Sequence, residues 1–128
     1  MIAIGEAARL SGVAIETIRY YEREGVVPVP RRAANGRRVY SAKDVGRLRF
    51  IRRCRDLGFS VAEAKGLLAL SERENGNCAV VKDIGTGHLN AVRSKIAELK
   101  ALEAALEELT ANCQTGSVSC QMLVALAQ

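Results

Sequence analysis

Apolar residues recur at helical spacing in four short stretches of the first 70 positions, then along one narrow seam of a longer stretch. Ile4 to Leu10 reads as a short helix that Ser11-Gly12 stops with turn chemistry. A second helix is predicted from about Ala14 to Glu24, with Ile15, Ile18 and Tyr21 on one stripe and Gly25 closing it. Ser41 opens a third, with Asp44 at the capping-box position and Val45, Leu48, Ile51 and Cys54 as its apolar face; Gly58 ends it. Ser60 with Glu63 repeats that start signal for a fourth, bearing Val61, Ala64, Leu67 and Leu68. Between the second and third helices, Pro28 and Pro30 exclude a helix interior. Asn35-Gly36, flanked by Arg31, Arg32, Arg37 and Arg38, predicts a small β-hairpin ending at Val39-Tyr40.

From about Val80 to Asn112 there is no proline, and Leu89, Val92, Ile96, Leu99, Leu102, Leu106 and Leu109 keep a near-heptad seam that slips near Leu99–Leu102. Lys95, Glu98, Lys100, Glu103, Glu107 and Glu108 fill the other faces. The chain has no second helix of similar length, so the seam points to another copy, most simply as an antiparallel coiled coil in a homodimer. The alternative is a long helix folded back on the N-terminal region. A final short helix is predicted over Gln121 to Ala127, after a polar loop bracketed by Cys113 and Cys120.

Charge changes this picture from an all-helical fold to a partner. Residues 1–60 hold 13 Lys/Arg against 6 Asp/Glu, while residues 61–128 hold 6 against 8. A basic half joined to a mildly acidic one implies a polyanion for the first half only, with DNA the obvious candidate. Two short helices joined by Leu-Ser-Gly-Val are a helix-turn-helix outline, and the arginine-bearing hairpin beside it would then be a wing on the phosphate backbone. Met1 to Glu6 lacks the basic start and apolar run of a secretion signal, and no stretch approaches a membrane span. The expectation is a soluble cytoplasmic protein with no membrane partner. Its four cysteines (Cys54, Cys78, Cys113, Cys120) are then reduced thiols, available as metal ligands, redox centres or small core residues. One histidine and no Ser/His/Asp set, phosphate loop or paired carboxylates argue against an enzyme, and no organic cofactor is expected.

Four pieces in order carry a resemblance: Ile4-Gly5-Glu6-Ala7-Ala8, Glu16-Thr17-Ile18-Arg19-Tyr20-Tyr21-Glu22, Asn35-Gly36-Arg37-Arg38-Val39-Tyr40 and Leu57-Gly58-Phe59-Ser60. The chain resembles the MerR family of winged-helix regulators along its whole length. That resemblance implies a mainly α fold: a winged helix-turn-helix DNA-binding domain over 1–70, a connector over 71–79, a dimerisation helix over 80–112, and a metal-binding loop with a terminal helix over 113–128. It implies Thr17, Arg19 and Tyr21 as recognition-helix contacts, with Glu16 near enough to influence base choice. Arg32, Arg38 and Tyr40 are implied as wing contacts and Arg55 as a phosphate contact of the third helix. Arg37 departs from the family, where an aromatic residue is frequent. The implied mechanism is mechanical: the regulator binds a pseudo-palindromic operator and reshapes the promoter for RNA polymerase, with a ligand resetting the angle between DNA-binding domains.

The cysteines fit a ligand site only between subunits. A helix of roughly 33 residues separates Cys78 from Cys113 and Cys120 by about 50 Å at 1.5 Å per residue. In an antiparallel dimer, Cys78 of one subunit arrives beside the loop pair of the other, giving two three-thiolate sites. The resemblance associates the Cys78 position with a divalent soft ion, Hg(II), Cd(II), Pb(II) or Zn(II), and thiolates suit all four. His88, ten residues into the helix, is a possible further ligand or a plain surface residue. The absence of a loop histidine favours a three-coordinate ion over zinc. The alternative is a sensor of Cu(I), Ag(I) or Au(I), or of thiol oxidation, through Cys113 and Cys120 alone. Cys54, on an apolar stripe, is expected to be a core residue.

Overall fold

A computed structural model describes residues 1–73, 77–111 and 121–128. Its elements are six helices: α1 (Ile4–Ser11), α2 (Ile15–Arg23), α3 (Ala42–Asp56), α4 (Val61–Ser71), α5 (Cys78–Ala111) and α6 (Gln121–Leu126). They fall into two compact units, Met1–Val81 and Lys82–Gln128. Among the described residues, no helix is long and apolar enough to cross a membrane.

The first unit is organised around α3, which packs against both α1 and α4, while α1 also packs on α2. Val45, Leu48, Ile51 and Cys54 are all buried, as their three-residue spacing predicts, and meet Ala7, Ile18, Tyr21, Ala64 and Leu68. Each fully buried Leu or Ile contributes about 1.5–3 kcal/mol relative to exposure. Both predicted capping boxes form. Ser41 Oγ accepts from Asp44 N–H while Asp44 returns a bond to Ser41 N–H, and Ser60 and Glu63 repeat the exchange. These satisfy backbone donors that would otherwise be orphaned at the helix starts.

The segment between α2 and α3 differs from the expected hairpin. No strand pair forms there; single antiparallel bridges join Arg32 to Arg38 and Ile2 to Tyr40. Gly36 N–H donates to Ala33 C=O, Ala33 N–H donates to Arg37 C=O, and Gly36 alone takes a left-handed φ, +84°. This is a type I turn followed by a G1 bulge, not the two-residue turn that needs positive φ at Asn35. Asn35 Oδ1 instead accepts from Arg37 N–H, the local bond that suits Asn to turns. Pro28 and Pro30 remove donors on the way in, so the ladder stays short.

Helix α5 begins in the first unit and continues through the second, where it carries the seam, and none of its residues is buried. The helix starts two residues before the expected Val80, because Asn77 Oδ1 accepts from Ala79 N–H and caps it. Cys78 thereby occupies its first turn.

Candidate nucleic-acid interface and cysteine donors

Helix α2 buries Ile18, Tyr21 and Glu22 and presents Glu16, Arg19, Tyr20 and Arg23 to solvent, with Thr17 half-buried. Its first residue follows the turn at Gly12, so the exposed face begins directly at the helix-turn-helix corner. Tyr20 was not among the expected contacts, yet it is the exposed aromatic of this helix, and the Arg23 guanidinium lies 5.5 Å from its ring centroid. Tyr21 goes the other way. Its place on the Ile15–Ile18 stripe decides its position, and the ring lies in the core at 7% exposure. Sequence reasoning gave Tyr21 two roles, and the structure supports the packing one.

Tyr40 is likewise buried, which departs from its expected place as a wing contact. Its hydroxyl donates to Glu22 Oε2 at 2.8 Å, while Arg38 Nη1 donates to Glu22 Oε1 at 2.6 Å. Burial, followed by the Glu22 carboxylate, pushes the Tyr40 phenol above the ordinary tyrosine range. A single buried carboxylate on α2 therefore ties that helix to both Arg38 and Tyr40 in the segment before α3. Glu22 was not among the expected site residues. The signal was present: it lies four residues after Ile18, on the buried face, where a carboxylate requires a cation.

Arg38 nonetheless keeps part of its side chain in solvent, at 30%. With Arg19, Arg32 and Arg37 it lines a cleft of about 430 Å³ floored by Ala3, Ile4 and Gly36. Arg32 is held there by a 2.7 Å bond from Nη1 to Gly36 C=O. Neither Arg19 nor Arg37 has a side-chain partner among the described residues. The structure thus brings together three expected contact residues, Arg19, Arg32 and Arg38, and adds Arg37. Arg55 is exposed on α3, outside this cleft, and donates from Nη1 to Phe59 C=O at 2.8 Å. Guanidinium groups of this kind bind phosphate oxygens by charge-assisted forks, which fix affinity and register more than sequence.

Of the thiols, Cys78 is exposed and Cys54 is buried, its pKa raised by burial. Cys113 and Cys120 lie outside the described residues, as does the loop expected between them. His88 is half-buried on α5. Among the described residues, no three His, Cys, Asp or Glu come together to hold a metal ion. The donor chemistry of Cys78 suits a soft ion, but α5 is one helix of 34 residues, about 51 Å long, so Cys78 alone is far from a complete set.

Residues 2–71 match the family model described as MerR HTH family regulatory protein, and residues 45–109 match the one described as MerR, DNA binding. The chain is similar to the HTH-type transcriptional regulator HmrR of Rhizobium leguminosarum bv. viciae, at 47% identity over 110 residues, covering 86% of this chain and 84% of that protein. It is 41% identical to the mercuric resistance operon regulatory protein of Bacillus cereus, over 86% of this chain and 83% of that one. Among solved structures it is similar to the transcription regulator PbrR691 from Ralstonia metallidurans CH34 in complex with lead(II). There the TM-score is 0.87 and the identity 36%, with 98% and 99% of the two chains covered.

Proposed function

The chain belongs to the MerR family of helix-turn-helix regulatory proteins, and we propose that it is a dimeric, metal-responsive regulator of transcription that grips promoter DNA with its first unit. The observation that carries the DNA part is the arginine cleft beside the exposed face of α2. Arg19 stands on the recognition helix, and Arg32, Arg37 and Arg38 stand on the wing, all facing one opening. Thr17 and Arg19 meet the groove with Tyr20 beside them, Arg32 and Arg38 hold the adjacent phosphates, and Arg55 holds a further one. Tyr40 serves through Glu22 by positioning Arg38, and Tyr21 serves by packing α2 into the core. Operator distortion and its readout by RNA polymerase belong to this proposal as what the family resemblance implies.

The inducer is a soft divalent ion, Hg(II), Cd(II), Pb(II) or Zn(II). Relatives that concern mercury and lead support a thiophilic cation. Cys78, exposed on the first turn of α5, is one thiolate; Cys113 and Cys120 of a second subunit supply the other two. The domain division follows: residues 1–70 for DNA, 71–79 as connector, 80–112 for dimerisation, and 113–128 for the ion. Competitive titration of the full chain with these four ions and Cu(I), under thiol buffering, tests the metal class through thiolate charge-transfer absorption. Tight binding of a divalent ion that Cys78→Ser weakens at least tenfold is the expected result. Cu(I) binding far above all four, indifferent to Cys78→Ser, would select the monovalent reading through Cys113 and Cys120.

A further inference from the structure

Both ends of α1 open onto arginines. At its start lies the wing-side cleft already described. At its end, around Leu10, Ser11 and Gly12, lies a second opening of about 390 Å³, lined from α3 by Arg49, Arg52 and Arg53. These three, with Asp56, fall three, four and seven positions apart and so form one stripe of the helix. We propose that this second cleft holds a backbone phosphate of the DNA strand opposite the one gripped by the wing. The inference rests on the DNA-binding reading above and extends it to residues that reading leaves out.

The cleft is built against the helix-turn-helix corner itself. Arg49 Nε donates to Leu10 C=O at 3.0 Å, and Arg52 Nη1 donates to Gly12 C=O at 2.7 Å. Gly12 is what admits Arg52: a Cβ on it would stand 1.6 Å from Arg52 Nη1, and its φ of +74° suits only glycine comfortably. Each guanidinium spends one of five donors on these carbonyls and keeps the rest. Arg53 has no side-chain partner among the described residues, and the sole acid of the lining, Asp56, lies 3.8 Å from Arg52 Nε. A purely structural role accounts for Arg49 and Arg52 but leaves Arg53 without a purpose.

Geometry selects the occupant. The cleft is open to solvent, which fits a phosphate carried on a polymer better than an enclosed small anion. The two clefts are separated by the length of α1, eight residues or about 12 Å. The major groove of B-DNA is about 12 Å wide between its two phosphate ridges. A recognition helix lowered into that groove from Gly12 onward would have the wing arginines on one ridge and the α3 stripe on the other.

The test uses the full chain and a 30-base-pair duplex of arbitrary sequence, with affinity followed by fluorescence anisotropy across a KCl series. Each lost phosphate contact lowers the slope of log K against log salt by about 0.9. Arg53→Gln is expected to lower the slope by about that amount, Arg53→Lys to restore it, and thermal melting to stay unchanged, because the Arg53 side chain makes no bond among the described residues, and its backbone bond from Leu57 N–H is kept in both variants. An unchanged slope for Arg53→Gln overturns the proposal and leaves the stripe to an acidic protein surface. A drop that Arg53→Lys fails to restore also overturns it, since charge was then not what mattered. Arg19→Gln run in parallel separates the two levels. If it weakens binding while Arg53→Gln does nothing, only the second cleft fails; a wild-type chain without salt-dependent binding sinks the DNA reading as well.

Discussion

At the residue scale, Glu22 joins α2 to the arginine-bearing segment that precedes α3. Its side chain is 1% exposed and its carboxylate accepts from both Arg38 and Tyr40, so it sets where the Arg38 guanidinium can point. Tyr40→Phe removes one bond to a charged acceptor and leaves the packing volume nearly intact. The expected loss is about 1.5–3 kcal/mol, read as a lower urea midpoint at unchanged m, together with weaker DNA binding through a loosened Arg38. The pH signature has a definite sign. The Tyr40 phenol titrates above its unfolded value, so its contribution is fully present below about pH 10 and is lost as pH rises beyond it. Tyr40→Phe should flatten that alkaline limb; a limb of unchanged steepness would show that another group carries it. Burial of Val45, Leu48, Ile51 and Cys54 was legible in the sequence because a strict period leaves one face to bury. The burial of Tyr21 was legible in the same way, from its place on the Ile15–Ile18 stripe, but its expected role as a contact ran against that stripe, and its neighbour Tyr20, which takes the exposed position, was not read as a contact.

At the scale of elements, punctuation was read well and turn geometry less so. Ser41 with Asp44 and Ser60 with Glu63 announce helix starts because each side chain can satisfy a backbone donor no other group reaches. Asn35-Gly36 announced a turn but not its type. The same dipeptide can occupy the two central positions or end a type I turn, and the surrounding bonds decide. Gly12 joins both themes, as the left-handed end of α1 and the opening for Arg52. Gly12→Ala must adopt an unfavourable φ and displace the Arg52 head from Gly12 C=O, at an expected cost of about 1–2 kcal/mol. Thermal unfolding reads the cost, and Arg52→Ala separates its parts. In an Arg52→Ala background the steric share disappears, so Gly12→Ala should cost less there. An equal cost in both backgrounds would confine the effect to φ.

At the scale of the molecule, α5 exposes a face that one chain does not cover. Leu89 and Ile96 are 46% exposed, Leu99 56% and Leu102 59%, a contiguous apolar seam of the kind that marks a protein interface. A second copy is the expected cover, so Ile96→Asp with Leu99→Asp should sediment as a single 13.8 kDa chain where the wild type sediments as two. The seam was legible as a period; the cysteine arrangement was legible only as a problem of length, since 34 helical residues keep Cys78 about 51 Å from the far end. Complementation between two defective subunits resolves that problem. A Cys78→Ser homodimer and a Cys113→Ser/Cys120→Ser homodimer each lack a complete three-thiolate set. When the two are mixed and exchange subunits, each heterodimer pairs an intact Cys78 from one chain with an intact Cys113 and Cys120 from the other, giving one full site of the two. High-affinity binding of Cd(II), absent from both parents, should therefore appear at one ion per heterodimer, read by thiolate charge-transfer absorption. If mixing restores nothing while subunit exchange is verified, the donors do not come from opposite chains, and the antiparallel arrangement falls with them.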